Sequence, residues 1–182
     1  SNKVVKGVSI KEFYKIQEYG SLSFALDKNP DLVFITNPSS LHIETAIKAL
    51  KAGCFVFIEK PLSHEWEGVE NLIRIENSSN FKKIAVGYQF RFHPALKLVK
   101  KLLSEKKIGN LVNARLVNGE YMPNWHPYED YRLSYAARSE LGGGALVTQI
   151  HDIDLSMWLF GRPFQLFAAG GQLSNLELDV ED

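Results

Sequence analysis

The chain has 182 residues, 45% of them hydrophobic, and its 21 basic and 21 acidic residues cancel to a formal net charge of +0. That length suits one ordinary domain or two small ones, and the neutral balance argues against nucleic acid or an anionic membrane as a partner. A lone cysteine, Cys54, excludes a disulfide framework within the chain, and with no signal-peptide pattern or long apolar run a cytoplasmic location is the default.

Val4-Val5-Lys6-Gly7-Val8 reads as the end of a strand, followed by helical stretches over 11–19 and 21–26. Asn29-Pro30 is a turn into the first firm strand, Leu32-Val33-Phe34-Ile35, which ends in Thr36-Asn37-Pro38. Ile43, Ala46, Ile47 and Leu50 then mark one face of a helix, and Gly53 sits where a helix stop belongs. The next strand is Phe55-Val56-Phe57-Ile58, ending in Glu59-Lys60-Pro61. Cys54 at its head is expected as a buried thiol. Both strands are continuous apolar runs, the pattern of strands covered on both faces. Strand, helix and strand with short joints make a right-handed parallel crossover. Ligands of open parallel sheets bind beyond the carboxyl ends of the strands, where Asn37 and Lys60 both emerge.

Further along, a helix is expected from about His64 to Glu76, with Ser63 as N-cap and Trp66, Val69, Leu72 and Ile73 on one face. A loop over 77–80 leads to a strand over 83–89, and Pro94 opens a helix that stops before Gly109. Residues 110–121 alternate apolar and polar, which predicts a half-buried strand of an antiparallel sheet. An aromatic, charged loop covers 122–135. Gly142-Gly143-Gly144 opens a helix through Phe160, and residues 164–169 and 172–180 read as two more strands.

On that glycine-led helix, Thr148, His151 and Asp152 share a face, and Asp154 lies three residues beyond His151. Imidazole suits general acid/base work near neutral pH. A histidine hydrogen-bonded in a domain interface is the alternative. Scattered histidines without H-x-x-H or C-x-x-C argue against a metal site. The absence of G-x-S-x-G argues against serine hydrolysis.

Asn37-Pro38 followed by His42, then Glu59-Lys60-Pro61, resembles the Gfo/Idh/MocA family of nicotinamide-dependent oxidoreductases. The run from Gly87 to Pro94 and the glycine-led helix with His151 and Asp154 resemble later segments of the same family. The resemblance implies an α/β fold: a partial Rossmann-like doubly wound parallel sheet over 1–91, then a partial α+β domain with an open antiparallel sheet over 92–182. It implies NAD or NADP as cofactor and a sugar, amino sugar or nucleotide-linked sugar as substrate. Lys60 would lie between nicotinamide and substrate, before a cis bond to Pro61. Thr36, Asn37, Pro38, His42 and Gln89 would lie on the cofactor side, with Glu59 fixing Lys60 or a ribose hydroxyl. His151 would be the acid/base, oriented by Asp152 or Asp154.

The loop from Trp125 to Arg138 resembles members that act on amino sugars or nucleotide-linked sugars. This puts Arg91, Trp125, Tyr131, Arg132 and Thr148 on the substrate side with Lys60 and His151. Aromatic faces would stack on the sugar and an arginine would hold a phosphate or carboxylate. An exposed loop with packing aromatics is the alternative. Thr148 departs from the family pattern, which usually has Asp there. Pairing through the uncovered face of the antiparallel sheet would give a homodimer or tetramer. No G-x-G-x-x-G occurs in the sequence, so the resemblance implies part of an enzyme, beginning near its second strand and ending before its last strands. The rival reading is a non-catalytic sugar-nucleotide-binding or assembly module of the same descent.

Pyrophosphate normally rests on backbone N–H groups reached through that glycine turn. Each charge-assisted hydrogen bond to phosphate is worth roughly 1.5–3 kcal/mol. Residues 1–182 alone should therefore bind NAD and NADP a few orders of magnitude more weakly than an intact site. Calorimetric titration tests this, and a low-micromolar dissociation constant would overturn it.

Overall fold

The computed structural model describes residues 4–5, 8–78 and 83–182, with side chains from residue 11 onward. Lys6 and Gly7 of the first expected strand, and part of the loop expected over 77–80, lie outside the described residues. β1 (Val4–Val5) and β2 (Val8–Ser9) pair antiparallel. α1 is Ile10–Tyr14, shorter than expected, and α2 is Leu22–Leu26, where Ser21 accepts a hydrogen bond from the Phe24 N–H.

The firm part of the fold is a three-stranded parallel sheet: β3 (Leu32–Ile35), β4 (Phe55–Ile58) and β5 (Ile84–Val86), in that order. Its register pairs Ile35 with Ile58 and Ile58 with Val86. α3 (His42–Lys51) and α4 (Val69–Ser78) cross between the strands. Ile35, Val56 and Ile58 form the core with Ala46, Ala49 and Leu50 of α3, Leu72 of α4 and Cys54. Cys54 is buried, as its sequence position suggests.

Coverage of both sheet faces is not observed. Leu32, Phe34 and Phe55 are 45%, 63% and 48% exposed on the side away from that core. The topology explains this. The strands advance in one direction across the sheet, so right-handed crossovers put α3 and α4 on the same face.

α4 starts later than expected. Gly68 takes φ +76° and lies so close to Ile43 that a Cβ there would meet the Ile43 side chain at 2.7 Å. The left-handed residue blocks a helix through 64–68, and Trp66 is left 67% exposed.

Beyond β5, a turn over Gln89–Phe92 leads into α5 (Pro94–Ser104), whose first turn is capped by the His93 ring. α6 (Met122–Trp125) and short turns follow. The long helix expected from Gly142 to Phe160 is broken in two, α7 (Ala145–Thr148) and α8 (Ile150–Phe160), with Gln149 at φ −95°, ψ +25°.

The open antiparallel sheet expected over 110–121, 164–169 and 172–180 is not formed among the described residues. The stretches are apolar in pattern but have no paired neighbour; Val112 is 96% and Phe164 102% exposed. Alternation makes a strand only where another strand completes the ladder. The platform expected for pairing into dimers or tetramers is likewise not formed. Residues 171–182 instead fold back onto the 131–146 region through Arg132–Glu177 and Ser139–Asp179 contacts. No helix among the described residues is long and apolar enough to cross a membrane.

Gly143 threads tightly beneath the Tyr135–Ala137 turn, where an added Cβ would stand 2.4 Å from the Tyr135 carbonyl and 2.7 Å from that of Ala136. Backbone on both sides cannot yield easily. Gly143→Ala should cost about 1–3 kcal/mol, read as a lower midpoint in thermal unfolding. Gly20→Ala, where nothing lies within 4 Å, should leave the midpoint nearly unchanged.

Candidate active site

Parallel register brings the ends of β3 and β4 side by side. The Glu59 N–H donates to the Ile35 carbonyl at 2.9 Å, so the two chains part company at the same level. The β3 end continues as Thr36-Asn37-Pro38 into a turn over Ser39–Leu41. The β4 end continues through Glu59 and Lys60, and the Lys60–Pro61 bond is cis. Between them lies a cleft of about 250 Å³ lined by Thr36, Asn37, Pro38, Ser39, His42, Glu59, Lys60 and Tyr135.

His42, the first residue of α3, braces the floor of this cleft. Its ring is 1% exposed. Nδ1 lies 2.8 Å from the Pro61 carbonyl and Nε2 lies 2.9 Å from the Asn37 carbonyl. Both partners only accept, so whichever ring nitrogen carries a proton donates it to a backbone carbonyl. The ring thus packs between the two strand-end loops and, as a neutral imidazole, donates to one of the two carbonyls. Asn37 donates from Nδ2 to Thr45 Oγ1 at 3.1 Å, while its Oδ1 is buried with no partner.

Lys60 reaches across to the second half of the chain. Its Nζ donates to the Thr148 carbonyl at 2.8 Å. That carbonyl is free because the helix breaks at Gln149: the Asp152 N–H, which would bond Thr148 in an unbroken helix, bonds the Gln149 carbonyl at 3.2 Å. Burial lowers the Lys60 ammonium below its usual range, and the negative charge of Glu59 opposes this. Glu59 accepts the backbone N–H of Lys60 at 3.3 Å. Burial, then Glu59, raises the Tyr135 phenol.

His151, on α8, is 7% exposed. Its ring lies 4.4 Å from that of Phe90, and its Nε2 lies 3.5 Å from Gln89 Nε2. Burial lowers its pKa first and the Lys60 charge second, against Asp154, Asp152 and Glu59. Its Nδ1 is buried and unpartnered, as is Thr148 Oγ1. Three buried polar atoms of these residues, on Asn37, Thr148 and His151, therefore have no hydrogen-bond partner.

The other expected residues are placed differently. Asp154 does not orient His151: its carboxylate is taken in a two-point ion pair by Arg91, with Nε to Oδ2 at 2.9 Å. Arg91 is accordingly committed to α8 and also lies 5.5 Å from the Tyr88 ring centroid. Arg132, expected at a phosphate, is held by Asp130 and Glu177. Tyr131 accepts the Glu177 N–H at 3.2 Å. Trp125 stacks on His126 and lines a second hollow of about 190 Å³ with Thr148 and Gln149. Among the described residues no group of three or more His, Cys, Asp or Glu could hold a metal ion. Two cleft residues escaped the sequence reading. Tyr135 sits in the stretch noted for aromatics but arrives through the Gly143 approach, which no local pattern encodes. Ser39, 3% exposed, follows Pro38 directly.

Comparison with known proteins gives this geometry a lineage. Residues 3–88 match the model of the Gfo/Idh/MocA oxidoreductase family, NAD-binding Rossmann fold, and residues 96–182 match its C-terminal domain. The chain belongs to the Gfo/Idh/MocA family. It is 31% identical over 138 residues to levoglucosan dehydrogenase of Pseudarthrobacter phenanthrenivorans, covering 74% of this chain and 34% of that protein. It is 28% identical over 146 residues to 2,7-anhydro-N-acetylneuraminate hydratase of Escherichia coli, covering 80% of this chain and 38% of that protein. Among solved structures, the WlbA dehydrogenase of Chromobacterium violaceum, in complex with NADH and UDP-GlcNAcA, superposes with a TM-score of 0.77 at 26% identity. The match covers 94% of this chain and 49% of that one. The chain thus spans about a third to a half of the relatives it matches, and its first half is a family NAD-binding domain.

The His151 shift has a consequence for stability. Its pKa is lower in the folded chain than its ordinary value of about 6.5. Between those two values the unfolded chain binds more protons, so stability falls as pH drops below about 6.5 and levels off beneath the folded value. Unfolding midpoints between pH 7.5 and 5, taken at about half-unit steps, should show this slope in the wild type. A shallower slope is expected in His151→Gln, and identical slopes would place the dependence elsewhere.

Proposed function

We propose that the protein of which this chain is part transfers hydride between NAD(P) and a carbon-bound hydroxyl of a sugar, amino sugar or nucleotide-linked sugar. The observation that carries this is the approach of a half-buried lysine from a strand end, bonded to the Thr148 carbonyl, to the helix that carries the buried His151, whose proton affinity burial and the Lys60 charge lower. The parallel-sheet part and the C-terminal part meet near Arg91. The substrate class is supported by the relatives, which include a levoglucosan dehydrogenase, a 2,7-anhydro-N-acetylneuraminate hydratase and a dehydrogenase in complex with NADH and UDP-GlcNAcA.

The nicotinamide ring accepts or returns the hydride when bound. The cleft residues fit its binding: Asn37 offers an unpartnered acceptor for a carboxamide or ribose donor, and Pro38 gives the wall an apolar edge. Lys60 holds a donor at the mouth of the same cleft. Because burial weakens its hold on the proton, it can lend hydrogen bonds to the reacting oxygen at modest cost. His151 is kept neutral by burial and by the Lys60 charge. A neutral imidazole takes the hydroxyl proton as hydride leaves, and returns it in the reverse reduction. Asp154 secures α8 through Arg91, which keeps the ring in place without touching it. Thr148 departs from the Asp that the family resemblance implies at this place; its hydroxyl hydrogen-bonds without adding charge.

The test uses the full-length enzyme, with NAD and NADP assayed against UDP-GlcNAcA, inositol and levoglucosan as probes. Lys60→Met should lower kcat by on the order of 10² or more while leaving cofactor affinity nearly intact. His151→Asn should lose about 10²–10⁴ in kcat and the acid limb of the pH profile. Near wild-type kcat in Lys60→Met would refute the assignment.

A further inference from the structure

A contact far along the chain from Lys60 bears on it. Glu181 lies against the glycine-led turn before α7. Its backbone carbonyl accepts the Ala145 N–H at 3.1 Å, and its side-chain Oε1 accepts the Leu146 N–H at 2.9 Å. The fit is close. A Cβ on Gly144 would stand 2.4–2.7 Å from the carboxylate atoms, and Gly144 is held at φ +111°. So a side chain at 144 and a carboxylate from 181 cannot coexist in this arrangement.

α7 is a single turn, Ala145–Thr148, too short to hold its shape by its own hydrogen bonds. Its internal bonds are few: the Thr148 N–H donates to the Gly144 carbonyl at 2.9 Å and the Gln149 N–H to the Ala145 carbonyl at 2.8 Å. Both rest on residues that Glu181 touches or pins. The Thr148 carbonyl at the far end is the acceptor of Lys60 Nζ. One continuous path of hydrogen bonds thus runs from Glu181 through the first and last residues of α7 to Lys60.

We propose that Glu181 is a positioning residue for Lys60: by pinning the first turn of α7 it fixes the Thr148 carbonyl that aims the ammonium. This rests on the reading of Lys60 given above. Glu181 itself touches neither Lys60 nor the 250 Å³ cleft lining, so its loss acts through α7. The expected signature is a Lys60 that is loosened while the cofactor cleft is kept.

The experiment reads Lys60 directly and requires no substrate. The full-length enzyme is labelled with trinitrobenzenesulfonate across a pH series, and modification of Lys60 is followed by peptide mass spectrometry against exposed Lys101. In Glu181→Ala, Lys60 should label several-fold faster and with an altered pH midpoint, while Lys101 and NAD affinity are unchanged. Glu181→Gln retains the Oε1 acceptor and should restore wild-type labelling. Glu181→Asp retains charge but is too short to reach Leu146, and should behave like Glu181→Ala; it is the deciding variant if the alanine protein fails to fold. Turnover, where measured, should fall about 10- to 100-fold in kcat with little change in cofactor affinity. Wild-type Lys60 labelling in Glu181→Asp overturns the proposal. So does faster labelling that Glu181→Gln does not correct. Neither outcome touches the role of Lys60 itself, which stands or falls with Lys60→Met.

Discussion

One hydrogen bond carries the arrangement: Lys60 Nζ to the Thr148 carbonyl. It spans 88 positions of sequence and joins the parallel sheet to the helix pair of the second half. Two independent features are needed for it. The sheet register must deliver Lys60 at the level where β3 and β4 diverge, and the helix must break at Gln149 so that a carbonyl is left over. A regular helix from Gly142 to Phe160 would have consumed that carbonyl internally. The irregularity is therefore a local departure from propensity that makes an acceptor available, and departures of this kind concentrate at functional sites.

Electrostatics around this bond follow from burial. Lys60 and His151 are both basic and both removed from water, which lowers the proton affinity of each, and the Lys60 charge lowers that of His151 further. Glu59 opposes the shift at both. Asp154, although paired with Arg91, is the largest of the charges that oppose the His151 shift, ahead of Asp152 and Glu59. The result is an imidazole held neutral beside an ammonium held loosely. The proposed hydride transfer uses this pair as proton acceptor and hydrogen-bond donor.

Much of the first half was legible in the sequence. Strands at 32–35 and 55–58, the helix between them and the convergence of Asn37 with Lys60 all follow from continuous apolar runs, a 3.6-residue period and a glycine stop, which are local signals. The second half was less legible because its structure is set by distant partners. Residues 110–121 alternate well, yet no ladder forms among the described residues because alternation says nothing about which strand lies alongside. Arg132 and Arg138 carry the right charge for a phosphate or carboxylate, but Asp130 and Glu177 pair with the first and Glu140 with the second, and the Arg132–Glu177 pair joins residues far apart in sequence. His42 lines the cleft with Asn37 and Lys60, as its position beside Asn37-Pro38 suggests, but its packing between two backbone carbonyls is a contact that no local pattern shows. Tyr135 enters the cleft only because Gly143 permits a close backbone approach, a fact of three dimensions.

The unpartnered atoms of the site give the last link between fold and function. Asn37 Oδ1, Thr148 Oγ1 and His151 Nδ1 are buried without hydrogen bonds, and a group in that condition costs roughly 1–3 kcal/mol. Against a net stability of about 5–15 kcal/mol for an ordinary domain, three such groups are a heavy burden. The fold sustains it because the core of β3, β4, α3 and α4 lies on the far side of the strand ends and shares none of these atoms. Two acceptor-capable atoms and a ring nitrogen are thus left unsatisfied beside neighbours that have other commitments. By contrast, both ring nitrogens of His42 lie against backbone carbonyls and Asp154 is paired with Arg91. Groups that hold the frame cannot also be left free to meet the substrate.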